Sequence, residues 1–267
     1  MTEKNLPTPA AVGPALAAVT CPMGSVQVTV DPAATIARAV VRTDDTTSPA
    51  AEAVRDSRVT QDGNRLTITV PELQGASGGI TQTVITRGGR TQVTQVIGGT
   101  VYGSVTAMTI TKDGRVITGG STATVSSGIE VLITLPAGSG VQMRSYNADL
   151  TVTGVLAALD LDTHNGSLTA GVIGRVQVRG HNGDNDLQSV TEWADIETHN
   201  GSTYIGSYSG GTARLITHNG NVDLAASPAA TGRIEARAHN GNIRLRGVSN
   251  RPDLDVVTNT RNGHISK

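Results

Sequence analysis

Residues 159–166 read LDLDTHNG, and the same eight-residue frame returns as VQVRGHNG at 176–183, ADIETHNG at 194–201, ARLITHNG at 213–220 and IEARAHNG at 234–241. A sixth copy, VVTNTRNG at 256–263, carries Arg261 in place of the His. Tyr146-Asn147-Ala148 reads as an earlier, degenerate copy. Asn-to-Asn spacings from Asn165 onward are 17, 18, 19, 21 and 22. Repetition at that period marks a stacked architecture, in which each unit is completed by its neighbours.

The frame alternates. Leu159, Val176, Ala194, Ala213, Ile234 and Val256 stand five residues before the His or Arg, and Leu161, Val178, Ile196, Leu215, Ala236 and Thr258 stand three before. Polar residues such as Asp160, Gln177, Asp195 and Arg214 fall between them. That period of two is the mark of a strand with one buried face. Alternation resumes after the Gly, in Leu168, in Val222 and Leu224, and in Ile243 and Leu245. Each repeat is therefore strand, Asn-Gly corner, strand. The corners are Asn165-Gly166, Asn182-Gly183, Asn200-Gly201, Asn219-Gly220, Asn240-Gly241 and Asn262-Gly263. Asn and Gly both tolerate the left-handed backbone that a sharp corner requires, which is the expected reason for them here.

An Asn-Gly turn also closes an ordinary antiparallel hairpin. A hairpin array would show a second turn signal midway between strands of matched length. The midpoints are instead irregular, at 171–174, 189–193, 207–211, 227–232 and 248–252, and the length variation collects there. One constant corner and one variable loop fit an all-β chain wound as a β-solenoid, its coils rising by about 4.8 Å through parallel ladders. Trp193 falls in a variable stretch and is expected to cover a loop or an end.

The composition agrees. The 267 residues contain 32 Gly, no Phe, one Trp and four Tyr, so aromatics are 2%. A narrow slot filled by columns of Val, Leu, Ile and Ala needs no rings. Thr163, Thr198, Thr217 and Thr260 form a further column suited to a hydroxyl ladder.

Upstream, residues 1–21 are rich in Pro and Ala and are expected to form a flexible leader. Glu3 offsets Lys4, and Pro7, Pro9 and Pro14 interrupt the apolar run, so export by this segment is not expected. Thr20-Cys21 is a poor lipoprotein cleavage site, and the expectation is a cytoplasmic protein. Residues 22–140 form a strand-rich N-terminal region that begins or caps the repeats. Val26, Val28 and Val30 alternate in one strand, 35–42 makes a second, and a short helix fits Pro49–Arg55. Asp62-Gly63-Asn64 is a turn before a strand at 65–70, and Gly128–Leu135 makes another strand. Within this region 80–125 is broken by glycine pairs at 88, 98 and 119, and it contains a hairpin around Asp113-Gly114. The solenoid itself is expected to occupy 141–267.

Three stretches resemble a bacterial β-strand-repeat domain of unknown function labelled a “putative adhesin”. They are Gly24–Val28, the strand and turn IEVLITLPAGS at Ile129–Ser139, and the Asn-Gly corners from 147 to 263. The resemblance covers about 22–74 and 126–267, and 80–125 reads as an insertion into it. It implies a β-solenoid without enzymatic activity and supplies no catalytic residues.

Lys and Arg number 21 against 22 Asp and Glu, so no basic excess is present to neutralise nucleic-acid phosphates. Cys21 alone excludes an intrachain disulfide and a thiolate metal cluster, and it fits a reducing compartment. No apolar run is long enough to span a membrane as a helix. The six His, at 164, 181, 199, 218, 239 and 264, all touch a corner. Five of them would stack as a ladder, which reads either as a metal or pH-sensing stripe or as corner residues that bond the turn and stack on one another. Asp160, Asp162, Asp184, Asp186, Asp195 and Glu197 are the acids a polysaccharide-cutting β-helix would use, yet they occupy outward positions mixed with Arg179 and Arg214, as on a solvated face. Asn165 and Asn200 begin Asn-Gly-Ser sequons, which matter only in an exported chain. No cofactor motif is present.

The function read from these features is a non-enzymatic scaffold or binding module with an unknown protein or surface partner. One alternative is self-polymerisation, because Ile265-Ser266-Lys267 follows the last corner without a capping helix and leaves an edge to pair. Adhesion at a cell surface and polysaccharide cleavage are the others.

Overall fold

Strict alternation sends every second side chain to one side of a strand, and the apolar set of the repeats lies buried. A computed structural model describes residues 1–5, 12–73, 80–87, 90–97, 110–112, 115–117 and 128–267. The fold is a two-faced β-solenoid. Long strands, Gly140–Asn165, Leu168–Asn182 and Asn185–Asn200, bend from one face to the other. Later coils use separate strands for the two faces, such as Thr203–Tyr208 with Thr212–Asn219.

Every repeat-to-repeat ladder is parallel, so the hairpin array is excluded. On the first face Leu159, Val176, Ala194, Ala213, Ile234 and Val256 pair in succession. On the second, Val152, Ala170, Leu187, Ile205, Leu224 and Leu245 do the same. The inward columns form one continuous core that runs the length of the stack.

The solenoid begins well before residue 141. Leu16–Thr20 pairs in parallel with 140–144 on one side and with Arg65–Thr69 on the other. Met23–Val30 pairs in parallel with 147–153 and with Glu130–Leu135. Residues 16–30 are thus a full coil inserted between two later segments of chain, and the expectation of a flexible leader over 1–21 is corrected. Ala17 and Val19 point into the core and Cys21 is buried, so cleavage at Thr20-Cys21 would delete a central strand. Antiparallel strands finish this end on both faces. Arg58–Asp62 pairs with Arg65–Thr69, while Thr2–Asn5 pairs with Arg38–Thr43, which lies on Glu130–Leu135. The helix Pro49–Asp56, capped by the Ser48 hydroxyl, buries Ala50, Ala53 and Val54.

The chain between Thr69 and Glu130 leaves one face and returns on the other at the corner that the Asn-Gly turns occupy in later coils. Within it, Ile80–Arg87 pairs antiparallel with Arg90–Ile97, and Ile110–Lys112 with Arg115–Ile117, as a hairpin around 113–114 requires. The glycine pairs at 88, 98 and 119 lie outside the described residues.

Two aromatics depart from expectation. Trp193 is half-buried within the strand Asn185–Asn200, paired with Arg175 and Thr212. Tyr208 is fully buried, so the core is not free of rings. Burial pushes its phenol up to about 12.

Candidate functional site

The corner is where the repeat concentrates its side-chain chemistry. The Asn165 amide nitrogen donates to the Asn147 side-chain oxygen at 2.6 Å. The same bond recurs from Asn182 to Asn165, Asn200 to Asn182, Asn219 to Asn200, Asn240 to Asn219 and Asn262 to Asn240, at 2.6–2.8 Å. Each interior Asn donates one such bond and accepts one. The ladder, rather than left-handed backbone, explains the Asn, because Asn250 is the one non-glycine with positive φ among the described residues.

Glycine follows for a different reason again. A Cβ on Gly183, Gly201, Gly220, Gly241 or Gly263 would overlap the carbonyl oxygen of the corner glycine one coil earlier, and on Gly166 that of Ala148. The threonine column supports this seat, with the Thr217 hydroxyl donating to Gly201 O and that of Thr260 to Gly241 O, both at 2.9 Å.

Immediately before each Asn stands the ring column. Tyr146, His164, His181, His199, His218 and His239 stack face to face, with centroids 4.5–4.8 Å apart and planes within 7° of parallel. The strand spacing imposes this geometry, since isolated rings prefer offset or edge-on contact. Tyr146 is a ring that histidine counting misses; its alignment with His164 one frame later is the signal that finds it. His264 lies apart from the stack, its backbone N–H donating to the Asn242 side chain.

Beside the rings runs a second outward column, Asp162, Arg179, Glu197, Ile216, Arg237 and Asn259, in register from coil to coil. Between the two columns lies a groove floored by Thr163, Gly180, Thr198, Thr217 and Ala238. Two cavities of about 450 and 400 Å³ share Gly180 and Glu197, so they form one trough parallel to the solenoid axis. It runs from Ser145 to Arg261, which takes the histidine position in the last corner. The acids of this wall pair with arginines on the same face, one of which is shared between two carboxylates. Arg144 binds Asp162 at 3.0 Å, and Arg214 binds Asp195 at 2.8 Å and Glu197 at 3.2 Å. Arg237 is held by Glu235 at 2.6 Å. Among the described residues, Arg179 and Arg261 make no ion pair.

The acids proposed for polysaccharide cleavage do not converge. Asp160 and Asp162 accept from Gln142 and Arg144, and Asp195 and Glu197 share Arg214, all on the first face. Asp184 accepts from the Ser202 N–H, and Asp186 follows it on the second face. Among the described residues no group of three or more His, Cys, Asp or Glu could hold a metal ion. Burial pushes the Cys21 thiol up to about 11, and Cys21 donates to Met23 O, so it is a poor nucleophile.

The His218 imidazole is held below its usual pKa, first by desolvation beside its neighbours and then by charge on His239 and His199. With the folded value lowered, the unfolded chain takes up the proton first. Stability should hold above the unfolded value of about 6.5 and fall as pH drops through it. Urea midpoints at pH 8 and pH 5 check this, and equal midpoints would refute it.

No protein-family model and no curated protein matches the chain. It is similar in fold to a “putative adhesin” from Bacteroides fragilis, with TM-score 0.52 and 12% identity, covering 99% of this chain and 95% of that one. A “putative adhesin” from Parabacteroides distasonis aligns over 100% of this chain and 96% of its own at TM-score 0.36 and 10% identity. A “putative lipid binding protein” from the same organism aligns over 100% and 97% at TM-score 0.30 and 9% identity. No helix among the described residues is long and apolar enough to cross a membrane. The Bacteroides fragilis likeness establishes the fold, the β-solenoid that the strand-repeat resemblance implied, and leaves the role to be argued from the trough beside the stacked rings.

Proposed function

We propose that the protein is a non-enzymatic binding module whose site is the trough between the ring column and the Asp162–Asn259 column. The observation that carries this reading is the continuity of the trough, which joins two cavities over successive coils and is walled, Ile216 apart, by polar side chains in fixed register. A surface of that form favours an extended ligand lying along the axis. The carboxylates near it are tied to Arg144 and Arg214, which suits recognition better than acid–base chemistry.

Ile216 is half-buried in the trough wall, and Ile216→Trp should fill the space. Binding is measured against dextran sulfate, neutral dextran and an oligothymidine strand, with the release of reducing ends followed in parallel. The expected result is saturable binding to at least one probe, weakened about tenfold or more by Ile216→Trp, which corresponds to about 1.4 kcal/mol. Binding indifferent to that substitution, or release of reducing ends, would overturn the reading.

A further inference from the structure

We infer that the trough takes a linear acidic glycan, and that protonation of the stacked imidazoles strengthens the hold. This rests on the binding-module reading above and names its ligand. Three observations lead to it.

The first is charge. Asp162, Glu197 and Arg237 are each paired within the first face, whereas Arg179 and Arg261 are not. The unpaired charge of the trough is therefore positive at neutral pH, with arginine at two separated points. These two stand four coils apart, about 19 Å at the strand spacing, with His199, His218 and His239 between them. A single small anion cannot reach both, and a chain of anionic units can.

The second is geometry. Ring edges face the trough at 4.5–4.8 Å intervals. Sugars of an extended glycan repeat at close to that spacing, so successive carboxylate or sulfate groups can meet successive rungs. A single-stranded nucleic acid gains much of its affinity by laying bases on aromatic faces. Here successive ring faces cover one another, which leaves the edges of the column to meet a ligand. That selects against nucleic acid and for a ligand bound through its anionic groups.

The third is the response to acid. The groups facing the rings are Asp162, Arg179, Glu197, Arg237 and Arg261, with Asp162 paired to Arg144 and Glu197 sharing Arg214 with Asp195. At His218 an added proton is held back first by desolvation beside the neighbouring rings and then by repulsion from His239 and His199. An anion placed beside each rung relieves that repulsion, so binding and protonation favour one another.

The test uses fluorescent dextran sulfate, whose sulfate esters stay charged throughout, so that any pH response belongs to the protein. Affinity should rise about tenfold or more between pH 8 and pH 5.5. In His199→Gln/His218→Gln the rise should shrink to about twofold. Arg179→Gln, a change at an exposed and unpaired side chain, should weaken binding at both pH values and leave the rise intact. An affinity without pH dependence, or a rise unchanged in the double variant, would overturn the inference. So would equally tight binding of oligothymidine. Neutral dextran bound as tightly as dextran sulfate and lost in Ile216→Trp would overturn the ligand class and leave the trough as a binding site. Dextran sulfate bound equally by Ile216→Trp would bring down both.

Discussion

Gly201→Ala is expected to cost about 3 kcal/mol of stability, far more than a methyl group at an exposed corner should. The added Cβ would overlap the carbonyl oxygen and carbon of Gly183. Neither backbone is free to yield. Gly183 N donates to Asn200 O and Gly201 N to Asn219 O, both at 3.0 Å, so each corner is tied to the next. Gly201 O also accepts from the Thr217 hydroxyl at 2.9 Å. Relieving the overlap means lifting one coil from its neighbour, which would stretch the Asn200–Asn182 bond of 2.8 Å and the His181–His199 stack together. Gly211→Ala is the control. Gly211 is exposed, lies at the opposite bend, and a Cβ there meets nothing within 4 Å. It should change stability by less than about 1 kcal/mol. Urea midpoints at constant slope measure both. Equal effects of the two substitutions would show that the corner is not packed as described.

The contrast shows what a single repeat can and cannot display. Alternation in LDLDTHNG is local, so the buried columns and their parallel stacking can be read from any one copy and confirmed by the next. The reason for Asn-Gly is not local. Within one copy the pair looks like a turn chosen for its backbone freedom. Only the neighbouring coil reveals that Asn is kept by an amide ladder and Gly by a carbonyl that leaves no room for Cβ. Leu16–Thr20 was hidden for the same kind of reason. Five residues beside Pro14 carry too little alternation to stand out, and their partners, 140–144 and 65–69, lie far along the chain. The trough was illegible because its walls are two outward columns. Read singly, Asp162, Arg179, Glu197 and Arg237 are a solvated face; they become one side of a channel only when parallel stacking sets them in register beside the ring column two residues further along each strand.

Leu215→Ala should cost about 3–5 kcal/mol, in the upper part of the range for a buried leucine. Leu215 is fully buried and sits between Ile196 and Ala236 in its column. Inward volume is traded within three successive coils: Ala194 accompanies Ile196, Ala213 accompanies Leu215, and Ile234 accompanies Ala236. Truncation at 215 would leave the coil 212–219 with alanine at both apolar inward positions of this face, next to the alanine already at 236 and that at 194. The resulting space spans adjacent coils, and the ladders on both sides, Leu215 with Ile196 and with Ala236, hold the backbone against collapse. Ile196→Ala removes similar volume beside Val178 and Leu215, whose side chains can lean into the gap, and it should cost about 1 kcal/mol less. Unfolding midpoints of the two variants decide the matter. If Ile196→Ala proves the more damaging, the trading of volume between neighbouring inward positions is not what sets packing in this core.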